Sequence, residues 1–431
     1  MNRSTPKQVV ANEETPLLLV SPASLEQQPA EIRRVAKTAG FDARPGSLLP
    51  VSDIDGEAGF LVGAPAAGDR WGWAGIAEKL PKACYRLVDT LDPYAATEAV
   101  IGWELGGYRF SRRREAAETG STLRMPENAD AERANYTLDA IRLGRDLVNT
   151  PANLLGPSEL AQAVIALVEK HGAKTNIVLG GDLLTQNYPA IYAVGASSDR
   201  APRLIEMRWG ERANPKVTLV GKGVCFDTGG LNVKSMADMR HMKRDMGGAA
   251  IMIALAAMIM AAKLPVCLRL LIPAVDNVIS QNAFRPGDVL TTRNGLTAEI
   301  ANTDCEGRLV LADALAAASE EKPDIVIDAA TLTGSARTAF GAEIGAMFTS
   351  DEAEGLALQK LSRQVEDPLW MMPLWAPYRS RIAAPVGNLM NMADGAYAGA
   401  ITAALFLQEF VSPETLWVHL DVSAWNDRAR P

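Results

Sequence analysis

The sequence predicts an α/β protein with two domains: a smaller N-terminal α/β domain, a linker helix, and a larger C-terminal domain whose mostly parallel central sheet is covered by helices. Three observations support this prediction. The 431 residues exceed what a single hydrophobic core usually organises. After residue 150, short apolar runs alternate with helical segments, which is typical of parallel strands buried on both faces. A polar stretch interrupted by Gly and Pro, residues 115–135, separates the two parts.

The N-terminal domain is expected to span residues 1–128. Two runs in it predict strands and two segments predict helices, at 16–20, 59–63, 24–40 and 94–105 respectively. Trp71 and Trp73 are interpreted as core or interface packing, and Arg112–Arg114 as a solvated face. This part of the sequence contains no recognisable catalytic arrangement.

A linker helix is predicted for residues 129–150, because apolar residues recur there at helical spacing and acidic residues lie near its start. The larger domain then occupies residues 151–431. Its strands are predicted at 176–179, 203–208, 217–226, 267–273, 297–301, 324–328 and 416–422. Its helices are predicted at 157–170, 236–262, 309–319 and 398–410.

Charged and polar residues lie at the ends of several of these strands. Lys222, Asp227, Asp304 and Thr331 come from separate segments, yet each lies at or just beyond a strand's carboxyl end. Ligands of open parallel sheets bind beyond these ends. We therefore expect the four residues to converge at one edge of the sheet.

Composition restricts the class of partner. The net charge of −8 and the pI near 5.2 argue against nucleic acid, because phosphate binding needs a basic face. The scattered cysteines form no CxxC pair, which favours a reducing cytoplasm, and residues 1–20 do not resemble a signal peptide.

The longest apolar stretch, residues 247–262, is shorter than the roughly 20 residues that a bilayer requires. A buried core helix is predicted there, and no membrane partner.

The segment Val217–Gly248 holds two lysines and two aspartates in otherwise apolar, glycine-rich sequence. Unpaired buried charges are costly, so these groups need counter-charges. The segment Asn302–Arg308 adds Asp304 and Glu306. Four carboxylates and two divalent cations sum to neutrality if a buried lysine, Lys222, loses its proton and becomes a nitrogen ligand. The predicted metal ligands are Lys222, Asp227, Asp245, Asp304 and Glu306.

Two metal ions about 3.5–4 Å apart can share a hydroxide and act as Lewis acids on a carbonyl. Lys234 is expected to polarise that carbonyl and to stabilise the oxyanion that develops. Arg308, at the predicted start of a helix, is expected to position an anion.

Other interpretations of these residues are weaker. A single Asp after a strand is usually a turn or a helix cap. The joint occurrence of both lysines and four carboxylates argues against a purely structural role. No dinucleotide fingerprint, phosphate loop or HExxH motif occurs, and the three histidines are dispersed. Cys305 has no histidine near it in sequence, which argues against thiol catalysis, and His419 is interpreted as a packed strand residue.

Four stretches resemble the signatures of the leucyl aminopeptidase (cytosol aminopeptidase) family of dinuclear metallopeptidases: VGKGVCFDTGGLNVK, MKRDMGGAA, NTDCEGRLVLADAL and AATLTGSA. The resemblance covers residues 145–425 and implies a catalytic metallopeptidase domain. It implies that one metal is held by Lys222, Asp227, Asp245 and Glu306, and the other by Asp227, Asp304 and Glu306. It also implies that Lys234 activates the carbonyl and that Arg308 holds a bicarbonate-like anion as general base.

The same resemblance implies how a substrate is held. The free α-amine of a peptide would bind one metal, which restricts cleavage to the first residue. The residues implied to line the first side-chain pocket or to bind the peptide backbone are Met242, Asn302, Thr331, Leu332 and Gly334. The family also implies a homohexamer, a dimer of trimers.

The sequence departs from the family pattern at positions that are not metal ligands. Cys305 replaces a usual alanine, Ser235 a usual proline, and Asn388–Asn391 a usual Asp-Leu-Lys-Asn. The chain ends at Arg428–Pro431 without the usual tail. These departures leave the side-chain preference open.

The sequence therefore predicts a cytoplasmic aminopeptidase that hydrolyses the N-terminal residue from peptides by a two-metal, bridging-water mechanism. Mn²⁺ or Zn²⁺ is expected, with Mg²⁺ or Co²⁺ also compatible with oxygen-rich ligands and one amine. Two alternatives stay open: a narrow dipeptidase or Cys-Gly peptidase, and a DNA-binding or architectural role combined with the peptidase fold.

Overall fold

The computed structural model describes residues 14–110 and 120–426 of the chain. The predicted solvated face at Arg112–Arg114 and the chain end Arg428–Pro431 lie outside these residues. The chain divides into two compact units, with the boundary between Asp139 and Ala140.

The first unit is built on a twisted sheet with the strand order β2-β3-β1-β4-β5. Its strands are β1 (Thr15–Val20), β2 (Leu48–Ile54), β3 (Glu57–Gly63), β4 (Cys84–Leu87) and β5 (Thr122–Leu123). Its helices are α1 (Pro22–Leu25), α2 (Ala30–Ala39), α3 (Arg70–Lys79) and α4 (Pro93–Gly106). Strand β2 runs antiparallel to β3, and the other neighbours pair in parallel.

Alternate residues of β1 face the two sides of this sheet. Leu17 packs with Trp73 of α3, whereas Val20 packs with Ala36 of α2. Both faces are thus covered by helices. Trp73 is buried in this core, in agreement with the packing role predicted for it.

The helix α5 (Ala131–Asn149) spans the boundary between the units, at the predicted position of the linker helix. The helices that follow it are α6 (Pro157–His171), α7 (Asp182–Thr185), α8 (Pro189–Gly195), α9 (Met236–Met239), α10 (Gly247–Ala261), α11 (Gly307–Ser319), α12 (Gly334–Phe340), α13 (Glu352–Gln364) and α14 (Gly399–Gln408). Shorter 3₁₀ turns occur at Met242–Met246, Thr303–Cys305 and Ala376–Ile382.

The second unit is organised by a large mixed sheet with the order β15-β14-β17-β13-β8-β10-β7-β6, in which β9 also pairs with β10. Its strands are β6 (Lys174–Leu179), β7 (Arg203–Trp209), β8 (Lys216–Gly221), β9 (Gly223–Asp227), β10 (Cys267–Asn277), β13 (Ile325–Ala330), β14 (Gly345–Thr349), β15 (Leu369–Met371) and β17 (Leu416–Asp421). A small separate sheet joins β11 (Val289–Thr291), β12 (Thr297–Glu299) and β16 (Leu389–Met390).

The centre of the large sheet is parallel, as predicted. Strands β17, β13, β8 and β10 run in one direction, while β7, β6 and β14 introduce antiparallel pairs toward the edges. The strands are apolar on both faces: Leu219 packs with Ile253 of α10, and the next residue, Val220, packs with Leu311 of α11. The fold class predicted from the sequence is confirmed.

One predicted element is wrong in its extent. The continuous helix expected over residues 236–262 is instead α9, a 3₁₀ turn, and α10. The tighter turn directs Asp245 into the interior, where it is 5% exposed. Residues Met242–Ala261 are long and apolar enough to resemble a membrane span, but α10 packs against β8 and β13 and most of this segment is buried. The segment is therefore a core helix, as the sequence predicted.

Candidate metal centre

Lys222 and Asp227 reach the same edge of the sheet because two short parallel strands end there. Lys222 follows β8, and its backbone N–H donates to the carbonyl of Ala329 on the neighbouring β13, at 3.0 Å. Asp227 is the last residue of β9. A Cβ built on Gly221 would lie 2.6 Å from the Cα of Ala249, so only glycine lets α10 approach this strand end.

Three buried carboxylates meet at this edge. Asp227, Asp245 and Glu306 are 1%, 5% and 1% exposed, and one oxygen from each lies within 4.8 Å of the others. The ammonium of Lys222 joins them, with Nζ 2.8 Å from Asp245 Oδ2 and 3.0 Å from Glu306 Oε1. A Cβ on Gly307 would lie 2.5 Å from Cε of Lys222, so this glycine makes room for the lysine.

A second lysine joins the fourth predicted carboxylate to the group. Lys234 Nζ lies 2.8 Å from Asp227 Oδ2 and 2.5 Å from Asp304 Oδ1. Its loop turns back at Gly229 and Gly230, whose φ angles of 88° and 64° favour glycine. Asp304 is not one of the three tightly grouped carboxylates, and its side chain, 31% exposed, lies on the open side of the cluster.

Local hydrogen bonds hold the two aspartates that lie outside strands. Asp245 sits in the 3₁₀ turn before α10, and the hydroxyl of Thr331 donates to its Oδ1 at 2.8 Å and to its carbonyl at 2.9 Å. The backbone N–H of Asp304 donates to Oδ1 of Asn302 at 2.8 Å. The first contact orients the carboxylate of Asp245, and the second holds the backbone that carries Asp304.

The charges of this cluster are incompletely balanced. Burial, with repulsion from Asp245, raises the pKa of Asp227 to about 6, and burial raises the pKa of Glu306 well above its ordinary range. Burial disfavours the charged forms of Lys222 and Lys234, but the surrounding carboxylates outweigh it and raise the pKa of each ammonium. With all four carboxylates ionised, the two lysines would leave two negative charges uncompensated.

The donor set suits divalent cations. Carboxylate oxygens and one amine are ligands of Mn²⁺, Zn²⁺, Mg²⁺ and Co²⁺, and added positive charge removes the repulsion that raises the carboxylate pKa values. Lys222 and Lys234 each bridge two carboxylates, so each pair of oxygens is already spaced for a shared cation. The residues present therefore fit the metal site that the sequence predicts.

Arg308 lies near the start of α11 and is 5% exposed. Within residues 14–110 and 120–426 its guanidinium forms no ion pair, its Nε makes no hydrogen bond, and its Cζ lies 5.9 Å from the centre of the Phe406 ring. A buried cation without a carboxylate partner suits a bound anion.

A cavity of about 500 Å³ opens onto the cluster. Every site residue predicted from the sequence lines it except Glu306, which lies behind the other carboxylates. Met242, Leu332 and Met392 contribute apolar surface, and Thr331 and Asn302 contribute polar groups. The cavity thus combines an apolar wall with a highly charged floor.

Two residues that support the centre were not predicted as site residues. Asn277 ends β10, and its amide contacts two of the carboxylates. Asn391 accepts hydrogen bonds at Oδ1 from the backbone of Ala301 and Asn302, at 2.8 and 3.2 Å, and so shapes the loop before Asp304. The only sequence signal for Asn277 is a polar pair, Asp276–Asn277, at the end of a long apolar run.

The residues set aside in the sequence lie as expected. Burial raises the pKa of the Cys305 thiol, which disfavours the thiolate needed for nucleophilic catalysis. His419 is fully buried in β17, with Nδ1 2.6 Å from Oδ1 of Asp328. It is a packed strand residue, as predicted.

Models of two protein families match the chain. A model described as the cytosol aminopeptidase family, catalytic domain, matches residues 142–430, and one described as the M17 aminopeptidase, N-terminal domain, matches residues 16–126. A probable cytosol aminopeptidase of Corynebacterium efficiens is 40% identical over 348 residues, covering 78% of this chain and 69% of that protein. A peptidase B of Pectobacterium atrosepticum is 40% identical over 355 residues, covering 79% of this chain and 80% of that protein.

Solved structures agree in fold over nearly the whole length. A cytosol aminopeptidase from Coxiella burnetii is 43% identical with a TM-score of 0.92, covering 97% of this chain and 93% of that chain. The bottromycin maturation enzyme BotP, in complex with Mn, is 32% identical with a TM-score of 0.87, covering 96% and 94%. Because the matches include both parts of the sequence, the chain belongs to the cytosol aminopeptidase family and is an aminopeptidase.

Proposed function

We propose that this aminopeptidase removes the N-terminal residue from peptides with two divalent metal ions, Mn²⁺ or Zn²⁺ by preference, held in the carboxylate cluster. The observation that carries the proposal is the meeting of Asp227, Asp245 and Glu306, buried and within 4.8 Å of one another, beside two lysines. A relative solved in complex with Mn supports the choice of metal. When bound, the ions would supply Lewis acidity for the peptide carbonyl and for the attacking water.

The ligands divide into two overlapping sets. Lys222, Asp227, Asp245 and Glu306 would hold one ion, and Asp227, Asp304 and Glu306 the other. Asp304 is the most exposed of the carboxylates and borders the cavity, so its ion would be the more accessible one. Lys222 would then lose its proton, because a neighbouring divalent ion replaces the carboxylate attraction that holds it charged.

Lys234 and Arg308 would act on the substrate side. Lys234 lines the cavity, and its ammonium would donate to the peptide carbonyl oxygen as negative charge develops. Arg308 would hold a bicarbonate-like anion that accepts a proton from water. Its guanidinium lacks an ion-pair partner among the described residues, which supports this role.

Restriction to the chain end would follow from the metal centre. A free α-amine would bind one of the two ions, whereas an internal amide offers no such group. The first side chain would lie against Met242, Asn302, Thr331, Leu332 and Gly334, which line the same cavity. Peptides with a free amino terminus are thus the proposed substrates.

Family membership supports two further parts of the proposal, a homohexamer arranged as a dimer of trimers and a cytoplasmic location. The comparisons lend no support to the dipeptidase or the DNA-binding alternative. Sedimentation of the purified protein tests the assembly, and a panel of aminoacyl amides and dipeptides tests the breadth of substrates.

The mechanism is tested with Lys234→Ala and Asp304→Ala. Lys234→Ala should lose at least about 100-fold in kcat, as on removal of one oxyanion donor, and Asp304→Ala should lose activity because the second ion loses a ligand. Asp238→Ala is a matched control, because Asp238 lines the same cavity but, among the described residues, its carboxylate bonds only Ser235, at 2.6 Å. Full activity in either test variant, with the control unchanged, would disprove the assigned roles.

A further inference from the structure

The amide of Asn277 connects two carboxylates that come from distant parts of the chain. Its Nδ2 lies 2.8 Å from Asp227 Oδ1 and 3.4 Å from Glu306 Oε2, and 3.1 Å from the carbonyl of Thr303. Asn277 is fully buried. Asp227 and Glu306, which would each bind both proposed metal ions, therefore share one neutral hydrogen-bond donor.

The orientation of this amide follows from its neighbours. All three groups around Nδ2 are acceptors, so a reversed amide would set Oδ1 against two carboxylates and a carbonyl. The Oδ1 side is enclosed by the turn after β9: a Cβ built on Gly230 would lie 3.0 Å from Oδ1. The amide has little freedom to turn away.

The backbone places Asn277 beside Asp227. The two residues are register partners at the ends of the parallel strands β10 and β9, just after a bulge between Val275 and Asp276. A bulge re-aims the side chains that follow it. The carbonyl of Asn277 also accepts from the backbone N–H of Thr228 at 2.9 Å and from its hydroxyl at 3.1 Å, which fixes the turn toward Lys234.

The two oxygens of each carboxylate face different partners. Asp227 Oδ1 accepts from Asn277 and from the N–H of Gly229, at 2.8 Å each, while Oδ2 faces Lys234. Glu306 Oε2 faces Asn277, while Oε1 faces Lys222. Asn277 therefore determines which oxygen of each carboxylate is left for a cation.

We propose that Asn277 is a positioning residue. Its amide fixes the rotamers of Asp227 and Glu306, the two carboxylates that both metal ions would share, without adding charge to the cluster. This inference rests on the proposed function, since it assigns a purpose to the orientation of those two ligands. Groups that hydrogen-bond metal ligands typically account for about 10–100-fold in metal affinity or activity.

Two variants test the inference. Asn277→Leu removes the donor while keeping a branched side chain of similar shape and somewhat larger volume, and Asn277→Ala removes the donor and leaves room for a water molecule. Ser197→Ala is the matched control: Ser197 is buried and accepts from the N–H of Val278, next to Asn277, but touches no proposed ligand. Mn²⁺ affinity is measured by calorimetric titration of the full-length, metal-depleted protein, together with its melting temperature with and without Mn²⁺.

The Asn277 variants should bind Mn²⁺ about 10–100-fold more weakly, with a smaller rise in melting temperature on adding Mn²⁺ and a fall in kcat larger than any change in KM. Ser197→Ala should lower the melting temperature without changing Mn²⁺ affinity. If a folded Asn277 variant binds Mn²⁺ within twofold of the parent, the positioning role is wrong while the proposed function stands. If the parent itself binds no divalent metal, the proposed function fails and this inference fails with it.

Discussion

Replacement of Gly248 by alanine tests whether α10 is seated against the sheet as described. A Cβ at Gly248 would lie 2.0 Å from the carbonyl oxygen of Ala329 and 2.9 Å from Cα of Ala330. Both contacts are with the backbone of β13, which cannot move as a flexible side chain can. Relief of the overlap therefore requires the helix to shift away from the strand.

The magnitude depends on two opposing effects. Replacing a helical glycine by alanine favours the helix by up to about 1 kcal/mol. Overpacking against a rigid neighbour lowers stability by about 1–3 kcal/mol. Because the contacts of Gly248→Ala are short and involve backbone atoms, we expect a loss near the upper end, about 3 kcal/mol. The net loss of about 2 kcal/mol corresponds to a fall of about 3 °C in melting temperature, because the second unit, residues 140–428, has a large unfolding entropy.

Gly144→Ala provides the matched control. Gly144 lies inside α5, where an added Cβ would meet only Ala254 Cβ at 3.5 Å and the carbonyl of Ala250 at 3.7 Å. These are ordinary contacts, so the variant should gain up to about 1 kcal/mol. Both melting temperatures are read from thermal unfolding followed by circular dichroism.

The shift of the helix should also reach the metal centre. The N–H of Ala249 donates to the carbonyl of Lys222 at 2.9 Å, so movement of α10 pulls on the segment that carries this proposed ligand. Weaker Mn²⁺ binding is therefore expected in Gly248→Ala but not in Gly144→Ala. A Gly248→Ala protein as stable as the parent would refute the close packing of α10 on β13.

Three further predictions follow from single groups. Arg337 lines the cavity and forms no ion pair among the described residues. Arg337→Glu should therefore lower kcat/KM about tenfold for peptides with a carboxylate near this residue and much less for the corresponding amides, measured on matched substrate pairs. Burial lowers the pKa of His419, but the Asp328 carboxylate outweighs this effect and raises that pKa above 6.5. The stabilisation of the fold by protonated His419 is therefore complete below pH 6.5 and is lost as the pH rises through the folded-state pKa. His419→Gln should remove this pH dependence from melting temperatures measured in chelator. Chelation should abolish peptide hydrolysis and lower the melting temperature, and Mn²⁺ at 100 times its dissociation constant should restore about 2.7 kcal/mol of stability; unchanged activity in excess chelator would contradict this.

Much of the centre was predictable because its residues lie in short segments next to strand ends. Lys222 and Asp227 lie at the ends of the apolar runs that form β8 and β9, and Asp304 and Glu306 directly precede the buried helix α11. In a parallel sheet the ends of β8 and β9 converge on one edge, which explains Lys222 and Asp227. Asp304 and Glu306 instead follow β12 of the small separate sheet, so the parallel sheet alone does not bring them to the centre.

The remaining features depend on contacts between distant residues. The close packing of Gly248 on Ala329 and the break before α10 are not revealed by the pattern of residues 236–262, which predicts one continuous helix. Asn277 meets Asp227 only because of strand register and a bulge in the pairing of β9 with β10. The strands β11 and β16 are two or three residues long, too short for a periodic signal, although Asn391 follows the second of them and shapes the loop before Asp304.

The central claim is that the buried carboxylates exist to hold a pair of divalent cations. The most direct test is the number of Mn²⁺ ions bound per chain at saturation, measured by metal analysis after equilibrium dialysis of the parent and of Asp227→Asn. Two ions per chain in the parent and fewer in the variant are expected, because Asp227 belongs to both proposed ligand sets. No bound ion in the parent, or an identical count in the variant, would contradict the claim.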